Sequence, residues 1–237
     1  MSDSGTTPAG PGHTDRAFEQ ELHTVRGALL RMAGHVEHMI GRAGQALVQR
    51  DGALARDVIE EDQEVNRAEV EIDELCLRIL AKRQPMASDL RFVTLAMKMV
   101  TDLERIADLA VNICERAVDL VDSKVVVHAE IPAMCSAVEN MVHQAIEAFV
   151  NRDVAKARAV IDGDDVVDDY YHRIFEDLLG RMHAEPAQLH QWIHVQSVAK
   201  WLERMGDHST NLAELVIFMV EGRDVRHPRL HGGKPPS

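Results

Sequence analysis

The sequence has few aromatic residues, no cysteine pair and no long apolar run. Phe, Trp and Tyr make up 4% of the 237 residues. Aromatic side chains are enriched in β-strands, so this composition does not favour a β-rich fold. The three cysteines include no CxxC pair, which gives neither a disulfide framework nor a zinc ribbon. The longest purely apolar run, from Leu215 to Val220, is too short to span a bilayer. The N-terminus lacks the basic and apolar regions of a signal peptide, so we expect a cytoplasmic protein.

Positive charge is also in short supply. The chain has 26 Lys and Arg residues against 39 Asp and Glu residues, which gives a formal net charge of −13. Affinity for nucleic acid depends largely on Lys and Arg that neutralise phosphates, so this balance argues against nucleic acid as a partner. Metal cations and basic protein surfaces remain compatible with it.

Long amphipathic segments fill the middle of the chain. Pro85, Pro132 and Pro186 are the only prolines between residues 12 and 227. From Leu22 to Ala46 the apolar residues follow alternating spacings of three and four, which predicts a helix. The ends, residues 1–15 and 223–237, are rich in Gly and Pro and are expected to be flexible tails. The predicted helices are 18–49, 52–83, 88–122, 132–150, 153–183 and 187–222, with Ser88 as the N-cap of the third.

The second half of the sequence repeats the first. A shift of 102 residues aligns RDGALARDVIEED from Arg50 with RDVAKARAVIDGD from Arg152. A shift of 99 aligns LERIADLAVNICE from Leu103 with LERMGDHSTNLAE from Leu202. Short connections make consecutive helices antiparallel neighbours. The predicted fold is therefore all-α, a tandem duplication of two antiparallel three-helix bundles over 16–122 and 132–222.

Oxygen-bearing side chains recur at equivalent places in the two halves. On the third helix of each half they are spaced i, i+4 and i+8, which keeps them within about 80° of the helix circumference. Glu69 and Asp73 add two more carboxylates in the first half. Carboxylate and amide oxygens suit hard cations such as Mg, Mn, Ca or carboxylate-bound iron better than structural zinc. The predicted metal ligands are Glu104, Asp108, Asn112, Asp62 and Asn66, and in the second half Glu203, Asp207, Asn211, Asp164 and Asp168.

The same acids are compatible with two alternative roles. Glu104 can pair with Arg105 or Arg116, which would make the acids ordinary salt-bridge partners in a metal-free helical scaffold. A carboxylate-bridged metalloenzyme is a further alternative, although the sequence has no Glu-x-x-His of the kind found in di-iron bundles. Nucleotide-binding, zincin and α/β-hydrolase motifs are also missing from the sequence.

Three strings resemble the PhoU family of phosphate-signalling regulators: AKRQPMASDLRF at 81–92, TDLERIADLAVNICERA at 101–117 and WLERMGDHSTNLAELVIFMVEG at 201–222. The resemblance implies a cytoplasmic, usually homodimeric negative regulator of the phosphate-starvation response, without enzymatic activity. Its partners would be the ATPase subunit of the phosphate ABC transporter and a membrane sensor histidine kinase, so it would meet the membrane only through partners. It would also restrain phosphate uptake.

The family's E(D)xxxD motifs bind metal ions, and by resemblance this role falls on Glu104 with Asp108 and on Glu203 with Asp207. The implied cofactor is iron, manganese, magnesium or zinc. The companion motif matches Asp62 with Asn66 and Asp164 with Asp168. The first half departs from the pattern at Asn66, where the second half has Asp168, and at Ala107, where it has Gly206. On these two differences we expect the first site to be the weaker one.

Overall fold

The protein is all-helical over residues 13–123 and 126–222, which are the residues that the computed structural model describes. They contain six α-helices, one 3-10 turn at Pro186–Gln188 and no β-strand. The predicted all-α class is confirmed. None of the described helices is long and apolar enough to cross a membrane. The helices are α1 His13–Gln49, α2 Gly52–Arg83, α3 Ala87–Asp119, α4 Ile131–Asn151, α5 Val154–Ala184 and α6 Leu189–Glu221.

Most helix ends lie within three residues of the predicted ones, with two differences of note. α1 begins at His13, so the last residues of the predicted tail 1–15 are helical. The rest of that tail, and the predicted tail 223–237, lie outside the described residues. The prediction of Ser88 as an N-cap is wrong: Met86 occupies the cap position without a side-chain hydrogen bond. The observed cap position is thus two residues before the predicted one, and Ala87, with φ of 50°, is the first residue of α3.

The same turn joins the first two helices of each half. Arg50 and Arg152 both adopt a left-handed backbone, with φ of 55° and 53°. The next residue is in each case an aspartate whose carboxylate accepts from backbone amides of the first helical turn: Asp51 from Ala53 and Leu54, and Asp153 from Lys156. These N-caps satisfy amides that would otherwise lack a partner. The repeated RD sequence therefore fixes where α2 and α5 start.

The apolar stripes of the helices form one continuous aliphatic core. Within each half the three helices pack on one another, and between the halves α1 packs on α4 and α3 packs on α6. Four identical pairs of equivalent residues are fully or almost fully buried in α2 and α5: Ala55 and Ala157, Val58 and Val160, Val65 and Val167, Ile72 and Ile174. Burial of each of these Val and Ile side chains contributes roughly 1.5 to 3 kcal/mol, and burial of each Ala methyl contributes less.

Histidine–carboxylate contacts lie on the boundary between the halves. His208 Nδ1 on α6 is 2.9 Å from Asp102 Oδ1 on α3, and both side chains are largely buried. His143 Nδ1 on α4 is 3.1 Å from Glu37 Oε2 on α1. These contacts link α3 to α6 and α1 to α4 across the boundary.

All three cysteines are buried and none forms a disulfide. Burial raises the pKa of the Cys76, Cys114 and Cys135 thiols to about 12. Cys135 faces α1 closely enough that a methyl group at Gly44 would lie 3.0 Å from its sulfur.

Candidate metal centres

Two groups of carboxylates lie where the second and third helices of each half pack together. We call Asp62, Glu69, Asp73, Glu104 and Asp108, between α2 and α3, the first acidic site. We call Asp164, Asp168, Glu203 and Asp207, between α5 and α6, the second acidic site. In each site the negative charges are close enough to act on one another's pKa values.

The carboxylates of the first acidic site are partly removed from water. Desolvation is the main cause that raises the pKa of Asp62, Glu69 and Glu104. The next cause for Glu104 is the charge of Asp108, and that charge also raises the pKa of Asp62. The ionised forms of these carboxyl groups are therefore destabilised, and a bound cation would stabilise them.

Two buried oxygens of the first site lack a hydrogen-bond donor. Asp62 Oδ2 accepts from the Asn66 amide at 2.7 Å. Among the described residues, however, Asp62 Oδ1 and Asp73 Oδ1 are buried and have no hydrogen-bond partner. A buried carboxylate oxygen without a donor is costly, and it is free to serve as a ligand.

Arg105 supplies the positive charge nearest to the first site. Its guanidinium lies 3.4 Å from Asp108 and 3.5 Å from Glu104, as one of the ion-pair alternatives anticipated. The Arg105 side chain is 57% exposed, whereas that of Glu104 is 16% exposed. An ion pair with such an exposed partner is screened by solvent and contributes at most about 1 kcal/mol.

In the second acidic site Asp164 lies directly over α6. A Cβ at Gly206 would be 3.0 Å from Asp164 Oδ1, so the missing side chain makes room for the carboxylate. Desolvation, followed by the charges of Asp168, Asp207 and Glu203, raises the pKa of Asp164 to about 6. The pKa of Asp207 is raised too, by desolvation and then by Glu203.

The second site also contains a lysine that the sequence pattern did not single out. Lys200 Nζ lies 2.7 Å from Glu203 Oε1 and 2.6 Å from Oε2. It also lies 5.2 Å from the centre of the Tyr171 ring. The hydrogen bond to Glu203 is the main cause that raises the pKa of Lys200, so the ammonium stays charged. The alignment of the two halves could have revealed it, because Lys200 stands where the first half has Thr101.

The asparagines of the predicted ladders are placed differently from the acids. The Asn211 amide donates to Asp102 Oδ1 at 3.4 Å, so it faces α3 of the other half instead of α5. Asn66 is exposed and donates to Asp62, and Asn112 is half-buried on α3. Asp168 is half-buried beside Asp164. The structure thus groups the four Glu and Asp residues of the repeated motifs with acids of the preceding helix, and directs Asn211 elsewhere.

The donor set fits a hard cation. In the described part of the chain no group of three or more His, Cys, Asp or Glu side chains is already arranged around one ion position. Binding would therefore require side-chain rotations in either site. The available donors are carboxylates, and within the described parts of the two sites the buried oxygens without a hydrogen-bond donor are those of Asp62 and Asp73 in the first site and Glu203 Oε2 in the second. Oxygen-only sites favour Mg, Mn or Ca over softer metals.

Comparison with known families and proteins gives consistent matches. The PhoU domain profile matches residues 29–117 and, separately, residues 131–216, one match for each half. The phosphate-specific transport system accessory protein PhoU homolog of Pseudomonas aeruginosa is 40% identical over 217 residues, which cover 91% of this chain and 90% of that protein. The corresponding PhoU protein of Escherichia coli is 34% identical over 219 residues, with coverages of 91% and 90%.

Solved structures agree with the sequence matches. The crystal structure of PhoU from Pseudomonas aeruginosa aligns with a TM-score of 0.84 at 39% identity, covering 87% of this chain and all of that one. The phosphate transport system regulatory protein PhoU from Streptococcus pneumoniae aligns with a TM-score of 0.82 at 25% identity, covering 88% and 99%. The helical pair of bundles is shared by all three chains.

Proposed function

Because the chain belongs to the PhoU family, we propose that it is a metal-binding accessory protein of phosphate-specific transport that represses the phosphate-starvation response. The observation that carries the proposal is the repeated Glu-x-x-x-Asp pair, set beside half-buried acids of the neighbouring helix in both halves. The names of the relatives, which refer to phosphate transport, support the choice of system.

The proposed mode of action is that of an adaptor without catalytic activity. It would act in the cytoplasm, most simply as a homodimer, between the ATPase subunit of the phosphate ABC transporter and a sensor histidine kinase. Long rigid helices offer broad surfaces to such partners. The net charge of −13 favours basic partner surfaces. A bound cation would supply positive charge between α2 and α3, where Asp62 and Glu104 would hold it.

The first experiment is deletion of the gene followed by complementation. Without the protein, phosphate-starvation genes should be expressed in high phosphate, and the wild-type gene should restore repression. Complementation with Glu104→Gln/Asp108→Asn should fail or be weaker if metal is required. A matched control, Glu64→Gln/Glu74→Gln, removes two exposed carboxylates of α2 that pair with Arg67 and Arg78. That control should restore repression fully, and unchanged expression after deletion would contradict the proposal.

A metal-free scaffold is the second candidate function. It is favoured by the ion pairs of Lys200 with Glu203 and of Arg105 with Asp108. This candidate predicts that chelators, and the substitution Glu104→Gln/Asp108→Asn, leave partner binding unchanged. A pull-down of the transporter ATPase subunit with and without EDTA separates the two candidates.

A further inference from the structure

The two acidic sites differ in their built-in charge. When the halves are aligned, Thr101 corresponds to Lys200, Glu69 to Tyr171 and Asp73 to Phe175. The second half therefore has an ammonium in place of a hydroxyl, and aromatic rings in place of two carboxylates. The first site has five carboxylates, and the second has four carboxylates and one ammonium.

We propose that Lys200 is a tethered cation that takes the electrostatic place of a metal ion in the second acidic site, so that this chain binds metal in the first site only. The inference rests on the metal-binding function proposed above and specifies which half performs it. It reverses the ranking expected from Asn66 and Ala107, because those two differences are outweighed by the charge and packing around Lys200.

Lys200 is held by groups that fit an ammonium. Its Nζ is within 2.7 Å of both oxygens of Glu203, whose side chain is 15% exposed. The Tyr171 ring covers another side of the ammonium, and ring faces attract cations. Gln196 Nε2 lies 3.5 Å from the Tyr171 hydroxyl and helps to orient the ring. A metal ion that used Glu203 would have to displace this ammonium and lose these contacts.

The first site has Thr101 at the position of Lys200, whose side chain is itself 45% exposed. The hydroxyl of Thr101 donates to the Met97 carbonyl oxygen of its own helix at 3.2 Å. Arg105 reaches Glu104 and Asp108 from the rim at 3.5 and 3.4 Å, through contacts between exposed or partly exposed groups on one helix, and it does not reach the buried oxygens of α2. Within residues 13–123 and 126–222, Asp62 Oδ1 and Asp73 Oδ1 are buried without a hydrogen-bond donor, and so is Glu203 Oε2 in the second site, but Glu203 Oε2 has the Lys200 ammonium 2.6 Å away. The unmet demand for positive charge therefore lies between α2 and α3.

Titration with Mn²⁺ tests the inference, by equilibrium dialysis with elemental analysis and by electron paramagnetic resonance. Wild-type protein should bind Mn²⁺ in one class of site that disappears in Glu104→Gln/Asp108→Asn and persists in Glu203→Gln/Asp207→Asn. Lys200→Thr, which installs the residue of the first half, should gain a second class at least tenfold tighter than any second-half binding in the wild type. Adding Glu203→Gln/Asp207→Asn to that variant should remove the gained class.

Two further variants control for folding and for general loss of charge. Lys200→Met keeps most of the aliphatic packing and should give the same gain if Lys200→Thr folds poorly. Lys156→Thr breaks a 2.6 Å ion pair with Glu147 at the start of α5 and should add no Mn²⁺ site. In EDTA, Lys200→Thr should lower Tm, and Mn²⁺ should restore it. Any loss of Tm in Lys156→Thr should not be restored by Mn²⁺.

The possible failures are distinguishable. Equal Mn²⁺ binding in both halves of the wild type, unchanged by Lys200→Thr and Lys200→Met, would overturn the role of Lys200 and leave metal binding standing. Binding by the second half alone would overturn it as well. If neither the wild type nor any variant bound Mn²⁺, the metal-binding part of the proposed function would itself be refuted, and the inference with it.

Discussion

The first and second halves share core residues but differ in the polar residues where their second and third helices pack together, which we call the polar seams. At the core, Val65 and Val167, and likewise Ile72 and Ile174, are identical and fully buried. At the seam, Glu69 is replaced by Tyr171 and Thr101 by Lys200. Close packing penalises a change of volume at a core position, whereas seam residues at the rim can change their charge without a cavity. The two halves thus share the scaffold, whereas the side chains of the two acidic sites differ.

The largest expected effect comes from moving the second seam into the first half. Glu69→Tyr/Thr101→Lys should place an ammonium beside Glu104 and remove one carboxylate. We expect the Mn²⁺ affinity of the first site to fall at least about tenfold, equivalent to about 1.4 kcal/mol. Glu64→Tyr/Thr94→Lys makes the same chemical change at exposed positions of α2 and α3 and should leave the affinity within about twofold. Equal losses in the two variants would show that only overall charge matters.

A smaller effect is expected when the carboxylate with the most perturbed pKa is neutralised. The folded pKa of Asp164 is about 6 and its ordinary value is 3.8, so the folded state holds this proton more tightly than the unfolded chain. The free energy of unfolding of metal-free protein should therefore decrease as pH rises from about 4 to 6. Asp164→Asn should remove that decrease and stabilise the protein at pH 7 by about 1 kcal/mol, after allowance for solvent screening.

Asp62→Asn is the comparison in the first half. The Asn66 hydrogen bond opposes the rise in the Asp62 pKa, so we expect a smaller gain than for Asp164→Asn. Urea unfolding in EDTA at pH 4 and pH 7 measures both variants, and the gain should vanish at pH 4. Equal stability of wild type and Asp164→Asn at both pH values would contradict the assigned role of desolvation.

The smallest expected effect is the change in stability when Gly206, which packs against Asp164, is substituted. In Gly206→Ala the new methyl would lie 3.0 Å from Asp164 Oδ1 and 3.3 Å from Val167 Cγ1. The gain in helix propensity, up to about 1 kcal/mol, should be offset by these contacts, leaving a net change within about 0.5 kcal/mol. Ala107→Gly should instead cost about 1 kcal/mol or more, because a buried methyl and helix propensity are both lost. Thermal unfolding of the two variants shows whether the reciprocal changes differ.

The sequence predicted the fold well because its periodicity and its repeat agree. The 3,4 spacing and the repeated RD turn locate the helices, and antiparallel packing follows from the short connections. Ser88 was predicted as a cap from residue preference alone, without knowledge of the backbone dihedral angles. Ala87, which has a left-handed φ, already begins the helix. Cap position depends on dihedral angles that composition does not reveal.

The acidic sites were predicted less completely. The Glu-x-x-x-Asp pairs and the acids of α2 and α5 were placed on facing helices. Asn211, however, lies a further four residues along α6, and the drift of about 40° per step brings it to the seam with α3. The ion pair of Lys200 with Glu203, three residues along α6, was not singled out in the sequence, and periodicity along α6 could not show that Tyr171 of α5 lies beside the ammonium.

The buried cysteines make the folded chain a poor substrate for thiol reagents. A thiol with a pKa of about 12 carries almost no thiolate at neutral pH, and the thiolate is the form that reacts. Alkylation must then wait for the chain to open around the sulfur. Cys76 and Cys114 lie inside the first half, whereas Cys135 lies at the seam of α4 with α1. The natural sequence therefore carries its own reporters of local opening, two for the first bundle and one for the boundary between the bundles.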